Sequence, residues 1–130
     1  MKVKCIANMG TSLSKQSLKA GRTVDTVFHV KVGDVYTVYG INLWRGTLNY
    51  LTMNQANSLP IWSPAELFEM VDGKIPPDWY YVYLGRSEEL LNAAWGYKEL
   101  TQPAHYDGLQ GGDAAALKVF FQKKKIIDAQ

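Results

Sequence analysis

Val32-Gly33-Asp34-Val35-Tyr36-Thr37-Val38-Tyr39 opens the stretch that decides the fold. A second β-rich run follows over residues 48–53, and then Ile61-Trp62-Ser63-Pro64-Ala65-Glu66-Leu67-Phe68-Glu69-Met70-Val71-Asp72. β-branched and aromatic side chains recur in these runs, and they favour pleated backbone. A turn at Val32-Gly33-Asp34 feeds a strand over residues 35–43. On it Tyr36, Val38 and Gly40 share one face, and Val35, Thr37, Tyr39 and Ile41 the other. Trp44-Arg45-Gly46-Thr47 forms the hairpin connection, with Gly46 supplying the positive φ such loops need. Ser63 caps one 3₁₀ or α turn at Pro64-Ala65-Glu66-Leu67, with Pro64 at the first helical position. Residues 68–71 then return as the closing strand. Two strands joined tightly and closed by a Pro-led turn outline a small, bent β-barrel.

Outward from this stretch, residues 2–8 alternate charged and apolar side chains, as a half-buried strand does. Residues 10–21 are a polar loop with one helical turn around 14–19, and residues 24–30 read as a short strand. Asp72-Gly73 and Pro76-Pro77 mark turns ahead of an aromatic strand over 79–84. Ser87-Glu88-Glu89-Leu90 starts a short helix, while residues 91–97 read equally as strand or helix. Pro103 and the glycines of 108–112 break any helix there. Asp113 caps a helix over 114–125, on which Leu117, Phe120 and Phe121 form one stripe. That stripe is expected to cover the face carrying Val35, Tyr39 and Ile41. Lys123-Lys124-Lys125 suits the negative end of the helix dipole. The expectation is α+β: a single domain over 1–130, with a barrel core near 24–84 and a C-terminal helix near 113–125 packed on one face.

With 130 residues, 47% apolar and 20% charged, the chain has the balance of one folded globule. Cys5 is the sole cysteine, which excludes an internal disulfide and fits a small core residue on the first strand. Residues 1–8 have too short an apolar core for a signal peptide, and no run approaches a membrane span. A cytoplasmic protein that engages no membrane is expected. The net charge of +2 is unevenly spread. Residues 1–24 hold five basic groups and no acidic one, whereas residues 25–113 hold five basic and eleven acidic. Glu66, Glu69, Asp72, Asp78, Glu88 and Glu89 crowd the middle, opposed only by Lys74 and Arg86. Such a field steers a basic partner.

No pattern assembles a catalytic centre. His29 and His105 lack metal-ligand spacing. His105-Tyr106-Asp107 are loop neighbours that rarely converge, and Cys5 with His29 would need a tertiary coincidence. Gly108-Leu109-Gln110-Gly111-Gly112 lacks the lysine and preceding strand of a phosphate loop. Adjacent Glu88 and Glu89 point apart. No catalytic residue, cofactor or metal is expected. Four Trp, eight Tyr and four Phe are the more unusual resource. Aromatic anchors beside carboxylates suit a protein interface, so Trp44, Trp62, Glu66, Glu69, Asp72, Asp78 and Trp79 are the candidate partner-binding residues. The alternative is RNA or a ribosomal partner held by Lys15, Lys19, Arg22 and Lys123-Lys124-Lys125. It suffers from carboxylates around the aromatics, which repel phosphate.

Val32-Gly33-Asp34-Val35-Tyr36-Thr37-Val38 resembles the Gly-Asp-x-aromatic-x-Val strand of SH3-like barrels, and residues 61–71 resemble their closing segment. The resemblance covers about residues 28–72. It implies a bent antiparallel barrel, but the Ala-Leu-Tyr-Asp-Tyr-type start is missing and Leu67 replaces an aromatic, so no proline-rich ligand groove is implied. In size, aromatic richness and acidic middle the chain also resembles the small cytosolic immunity proteins that bacteria encode beside secreted toxins. That likeness implies a protein partner, a toxin domain, neutralised by direct binding. A phage or mobile-element accessory protein is a further alternative.

Overall fold

The computed structural model describes residues 1–86 and 91–130. The helix expected to start at Ser87 lies outside the described residues. The strands are β1 (Lys2–Cys5), β2 (Val35–Thr37), β3 (Gly40–Trp44), β4 (Thr47–Asn54), β5 (Leu59–Pro64), β6 (Phe68–Asp72), β7 (Tyr80–Tyr83) and β8 (Leu91–Gly96). Helices α1 (Lys15–Lys19), α2 (Pro103–Gln110) and α3 (Ala114–Asp128) complete the described elements beside three 3₁₀ turns. The fold is α+β, with two antiparallel sheets ordered β2-β1-β6 and β5-β4-β3-β8-β7. Neither sheet closes on itself. No helix among the described residues is long and apolar enough to cross a membrane.

The strand expected over 35–43 is broken at Val38 and Tyr39, so its alternation does not run through. The amide of Val38 donates to the Met1 carbonyl (3.0 Å), whereas that of Tyr39 donates to Leu51 (2.9 Å). Adjacent residues therefore bond to different sheets. Val38 joins a core with Val3, Cys5, Tyr36, Leu67 and Phe68. Tyr39 joins a second core with Leu51, Leu100, Tyr106 and Phe120. The β3–β4 turn is a two-residue hairpin with Arg45 and Gly46 both at positive φ (50° and 72°), the twist that matches its flanking strands.

Several expectations need correcting. Residues 24–30 form no strand, only one bridge between Met9 and Val27. Thr23 and Thr26 instead close a local turn through their hydroxyls (3.0 Å), as such side chains do in competition with sheet. The aromatic strand expected in the barrel core near 24–84 is β7, and it pairs with β8 at the far edge of the larger sheet. Of residues 91–97, which read equally as strand or helix, 91–96 form β8 and Tyr97 caps the 3₁₀ turn that follows. Pro103 starts α2 and does not break it, because at the first helical position its missing N–H has no bond to lose. The 3₁₀ turn at Ala65–Leu67 has Pro64 at its cap position and no side-chain cap from Ser63.

The C-terminal helix runs on to Asp128, capped by Asp113, whose carboxylate accepts from the Ala116 amide (3.0 Å). Its buried stripe is Ala116, Phe120 and Ile127, with Phe121 on the wet side. Phe120 meets Tyr39 edge-on at 5.5 Å. Val35 is exposed and Ile41 belongs to the other core, so the face expected to receive the stripe does not exist as a unit. The paired glycines Gly40 and Gly96 let Leu100 press onto the sheet. A Cβ at either would stand 2.2 or 2.5 Å from its methyl, closer than van der Waals contact allows.

Phe120 is fully buried and Phe121 is 40% exposed. Phe120→Ala should cost about 3–5 kcal/mol and Phe121→Ala about 1 kcal/mol or less, measured by urea denaturation. Equal losses would mean α3 packs on another face.

Candidate interaction surface

The seven residues singled out from the sequence fall into three environments. Trp44 and Glu66 belong to a clamp built by α1 and the loop after it. Ser14 caps α1, its hydroxyl accepting from the Ser17 amide (3.2 Å). The Glu66 carboxylate accepts from the Ser14 amide and hydroxyl and from the hydroxyl of fully buried Ser17. The guanidiniums of Arg22 and Arg45 lie 5.3 and 4.6 Å from the centre of the Trp44 ring, within cation–π range. Arg45 also donates to the Ala20 carbonyl (2.9 Å), and Gln16 donates to that of Arg45 (3.1 Å). Trp44 and Glu66 hold the chain to itself.

Trp62 lies under α2, 5.7 Å from the Tyr106 ring, and Trp79 packs against the first core. Neither stands out as a free anchor. Truncating either should lower stability first.

Glu69, Asp72 and Asp78 are exposed. In β6 the register slips, so that Val3 faces Met70 while Lys2 faces Asp72, leaving Val71 as a bulge. Without the bulge Glu69 and Asp72 would point to opposite faces, since side chains alternate along a strand. With it, both stand on the solvent face, Glu69 opposite Lys4 and Asp72 opposite Lys2. Two carboxylates of the acidic middle thus alternate with two lysines on one face, while Glu88 and Glu89 lie outside the described residues. Met70, Val71 and Ile75 are about half exposed beside it. A cleft of about 770 Å³ opens here, lined by Lys2, Tyr39, Asp72, Ile75, Pro76 and Asp128 among others.

The basic residues of the nucleic-acid reading are dispersed. Arg22 is committed to Trp44 and to Asn49 Oδ1 (2.7 Å). Lys123 pairs with Glu99 (3.4 Å) and Lys124 with Asp128 (2.6 Å). Of that set, Lys15, Lys19 and Lys125 are exposed.

Sequence reasoning missed a buried polar chain beneath α2. Asn49 Nδ2 donates to Asn42 Oδ1 (2.9 Å), Asn42 Nδ2 donates to the Tyr106 hydroxyl (2.9 Å), and Gln110 donates to that same oxygen (3.4 Å). Two asparagines facing each other across a hairpin, in otherwise apolar strands, are the signal that could have revealed it. Burial raises the Tyr106 pKa, so the ring keeps its proton.

His105 Nε2 lies 2.7 Å from the Tyr97 hydroxyl. Burial pushes the Tyr97 phenol up and the imidazole down from its ordinary 6.5, with Glu99 acting in the opposite sense on the latter. His105 lies on α2, whereas His29 is exposed in the loop ahead of β2. Cys5 is buried and donates to the Ala7 carbonyl (3.2 Å). Among the described residues, no cluster of His, Cys, Asp or Glu is arranged to hold a metal ion. No protein-family model, curated protein or solved structure matches this chain.

Two outcomes follow from the clamp and the imidazole. Glu66→Ala leaves the buried Ser17 hydroxyl unmatched, at about 1–3 kcal/mol, while water can take up the exposed donors of Ser14. Amide exchange should quicken over residues 14–22 while β4 stays protected; unchanged exchange would mean that Glu66 does not hold α1. The unfolded chain binds the His105 proton at higher pH than the folded one, so between those values stability falls as pH falls. Denaturation curves between about pH 7 and pH 5 should be flatter for His105→Gln than for the wild type. Identical slopes would place the ring in water.

Proposed function

We propose that this chain is a non-enzymatic protein-binding protein whose contact surface is β6 and the loop that follows it. The observation that carries the reading is the bulge at Val71, which brings Glu69 and Asp72 to one exposed face next to Met70, Val71, Ile75 and the cleft. Charges of both signs around half-exposed apolar side chains suit a protein partner, with a polar rim around an apolar centre. Asp78 lies in that loop, whereas Trp44, Trp62, Glu66 and Trp79 are engaged within the fold. In its specific form the proposal is a cytoplasmic immunity protein and the partner a basic toxin domain, blocked by occlusion.

An SH3-like kinship belongs to the same proposal. What supports it is the order β2-β1-β6 beside β5-β4-β3, the chain crossing between sheets at Val38 and Tyr39, and the 3₁₀ turn ahead of β6. No particular observation favours the RNA or mobile-element alternatives.

The test is co-expression with the product of the adjacent upstream gene, followed by binding kinetics. Glu69→Lys with Asp72→Lys should slow association roughly tenfold at low salt and less at physiological salt, where screening acts over about 8 Å. Met70→Ala should instead raise the dissociation rate. Growth protection that survives all three changes would remove this surface from consideration, and RNA carried through a high-salt wash would favour the basic residues.

A further inference from the structure

The cleft beside β6 lies where the two cores meet. Thr37 and Tyr39, which flank Val38 at the crossing between sheets, line it together with the start of β1, part of the loop after β6 and the end of α3. At about 770 Å³ it has the size of a small-molecule site. Its walls are held in place before anything enters. Asp72 accepts from the Lys74 amide (3.0 Å). Pro76 and Pro77 restrict the backbone that follows, and the Trp79 amide closes a turn onto the Pro76 carbonyl (3.2 Å). On α3, Asp128 accepts from the Tyr39 hydroxyl (2.6 Å) and from Lys124 (2.6 Å). Burial and that carboxylate raise the Tyr39 pKa, so its hydroxyl remains the donor.

We propose that this cleft binds a small organic acid, a single carboxylate joined to an apolar body. Charge selects the head group. Lys2 and Lys74 line the cleft, both exposed, and among the described residues neither closes an ion pair. Of the two carboxylates there, Asp128 is neutralised by Lys124, and Asp72 remains. The lining therefore sets two ammoniums against one open carboxylate, an excess of one positive charge. A carboxylate balances it. A phosphate monoester, at about −1.5 to −2 near pH 7, would overshoot and be repelled by Asp72. A cationic head would meet two like charges.

The walls select the body. Ile75 is half exposed, and with Pro76, Pro77, Ile127 and the Tyr39 ring it gives the cleft an apolar lining. Pro76 and Pro77 have no N–H to donate, so this stretch of wall cannot pair a peptide backbone as a strand edge does. It suits an aliphatic or aromatic body. Asp72 separates this site from the protein-partner reading, because the two make opposite demands on it. Its charge attracts a basic partner and repels an acid in the cleft.

Amide NMR spectra of the full chain titrated with octanoate should show saturable shifts at Thr37, Lys74, Ile75 and Asp128, with a Kd of about 1 mM. Octylamine should bind about tenfold more weakly, and octyl phosphate no more tightly than octanoate. Lys2→Ala with Lys74→Ala should weaken octanoate binding about fivefold, since each exposed charge contributes little. Both side chains are exposed, so the fold is retained. Asp72→Asn should tighten binding about twofold, because its side-chain oxygen still accepts from the Lys74 amide while the charge is gone. The same change should slow association with a basic protein partner. Ile75→Asp should abolish octanoate binding. No saturation by about 20 mM octanoate, equal binding of octylamine, tighter binding of octyl phosphate, or indifference to Asp72→Asn overturns the proposal. Tighter binding of an N-acetylated tripeptide ending in leucine also overturns it, and assigns the cleft to a chain terminus.

Discussion

Val38 and Tyr39 are consecutive, buried, and bonded to different sheets. No regular strand can do this, because a continuous pleat would send their amides to opposite edges of one sheet. The break lets one stretch of chain serve two cores. Val38 closes the first against Val3 and Phe68, and Tyr39 presents its ring to Phe120 in the second. Every later element is placed by that division. β3 continues from Tyr39 into the larger sheet, and α3 has a surface to land on because Tyr39 turned toward it.

The two cores are tied together by polar groups as well as by chain. Arg22, Asn49, Asn42, Tyr106 and Gln110 form a connected series from the loop after α1, through the β3–β4 hairpin, to α2. Buried polar groups left unmatched are costly, so each member constrains its neighbour's position. An apolar seam would let α2 slide along the sheet with little change in energy. A chain of donors and acceptors accepts one placement, and it links the α1 clamp to α2 along one face of the sheet.

Much of this was legible locally. β-branched and aromatic alternation marked β4, β6 and β7, and the Asp113 cap with its apolar spacing marked α3. The Arg45-Gly46 turn could be read from the glycine alone. What escaped depends on distant partners. Nothing within residues 35–43 marks a break at Val38, since both residues flanking it favour strands and only Met1 and Leu51 decide where their amides go. α2 was hidden because Pro103 and Gly108 read as breakers unless the proline stands at the first turn. Glu66 looked like part of an acidic surface because its partner, Ser14, lies 52 positions away. The bulge at Val71 was equally invisible, yet it alone sets which charges of β6 share a face.

The aromatic count carries the same lesson about surfaces. A domain with two small cores needs large, flat side chains to fill them, and Tyr36, Tyr39, Phe68, Trp62 and Tyr106 are used that way. Abundance of Trp therefore says little about binding here, since Trp44 is clasped by arginines and Trp79 lies against the first core. The informative aromatics are those left over after packing is satisfied. Among the described residues these include Tyr80, Tyr81 and Tyr83, gathered on β7 and each about half exposed. Tyrosine covers apolar area while keeping a hydroxyl for water, so such a strand can stay wet alone and still gain from being covered.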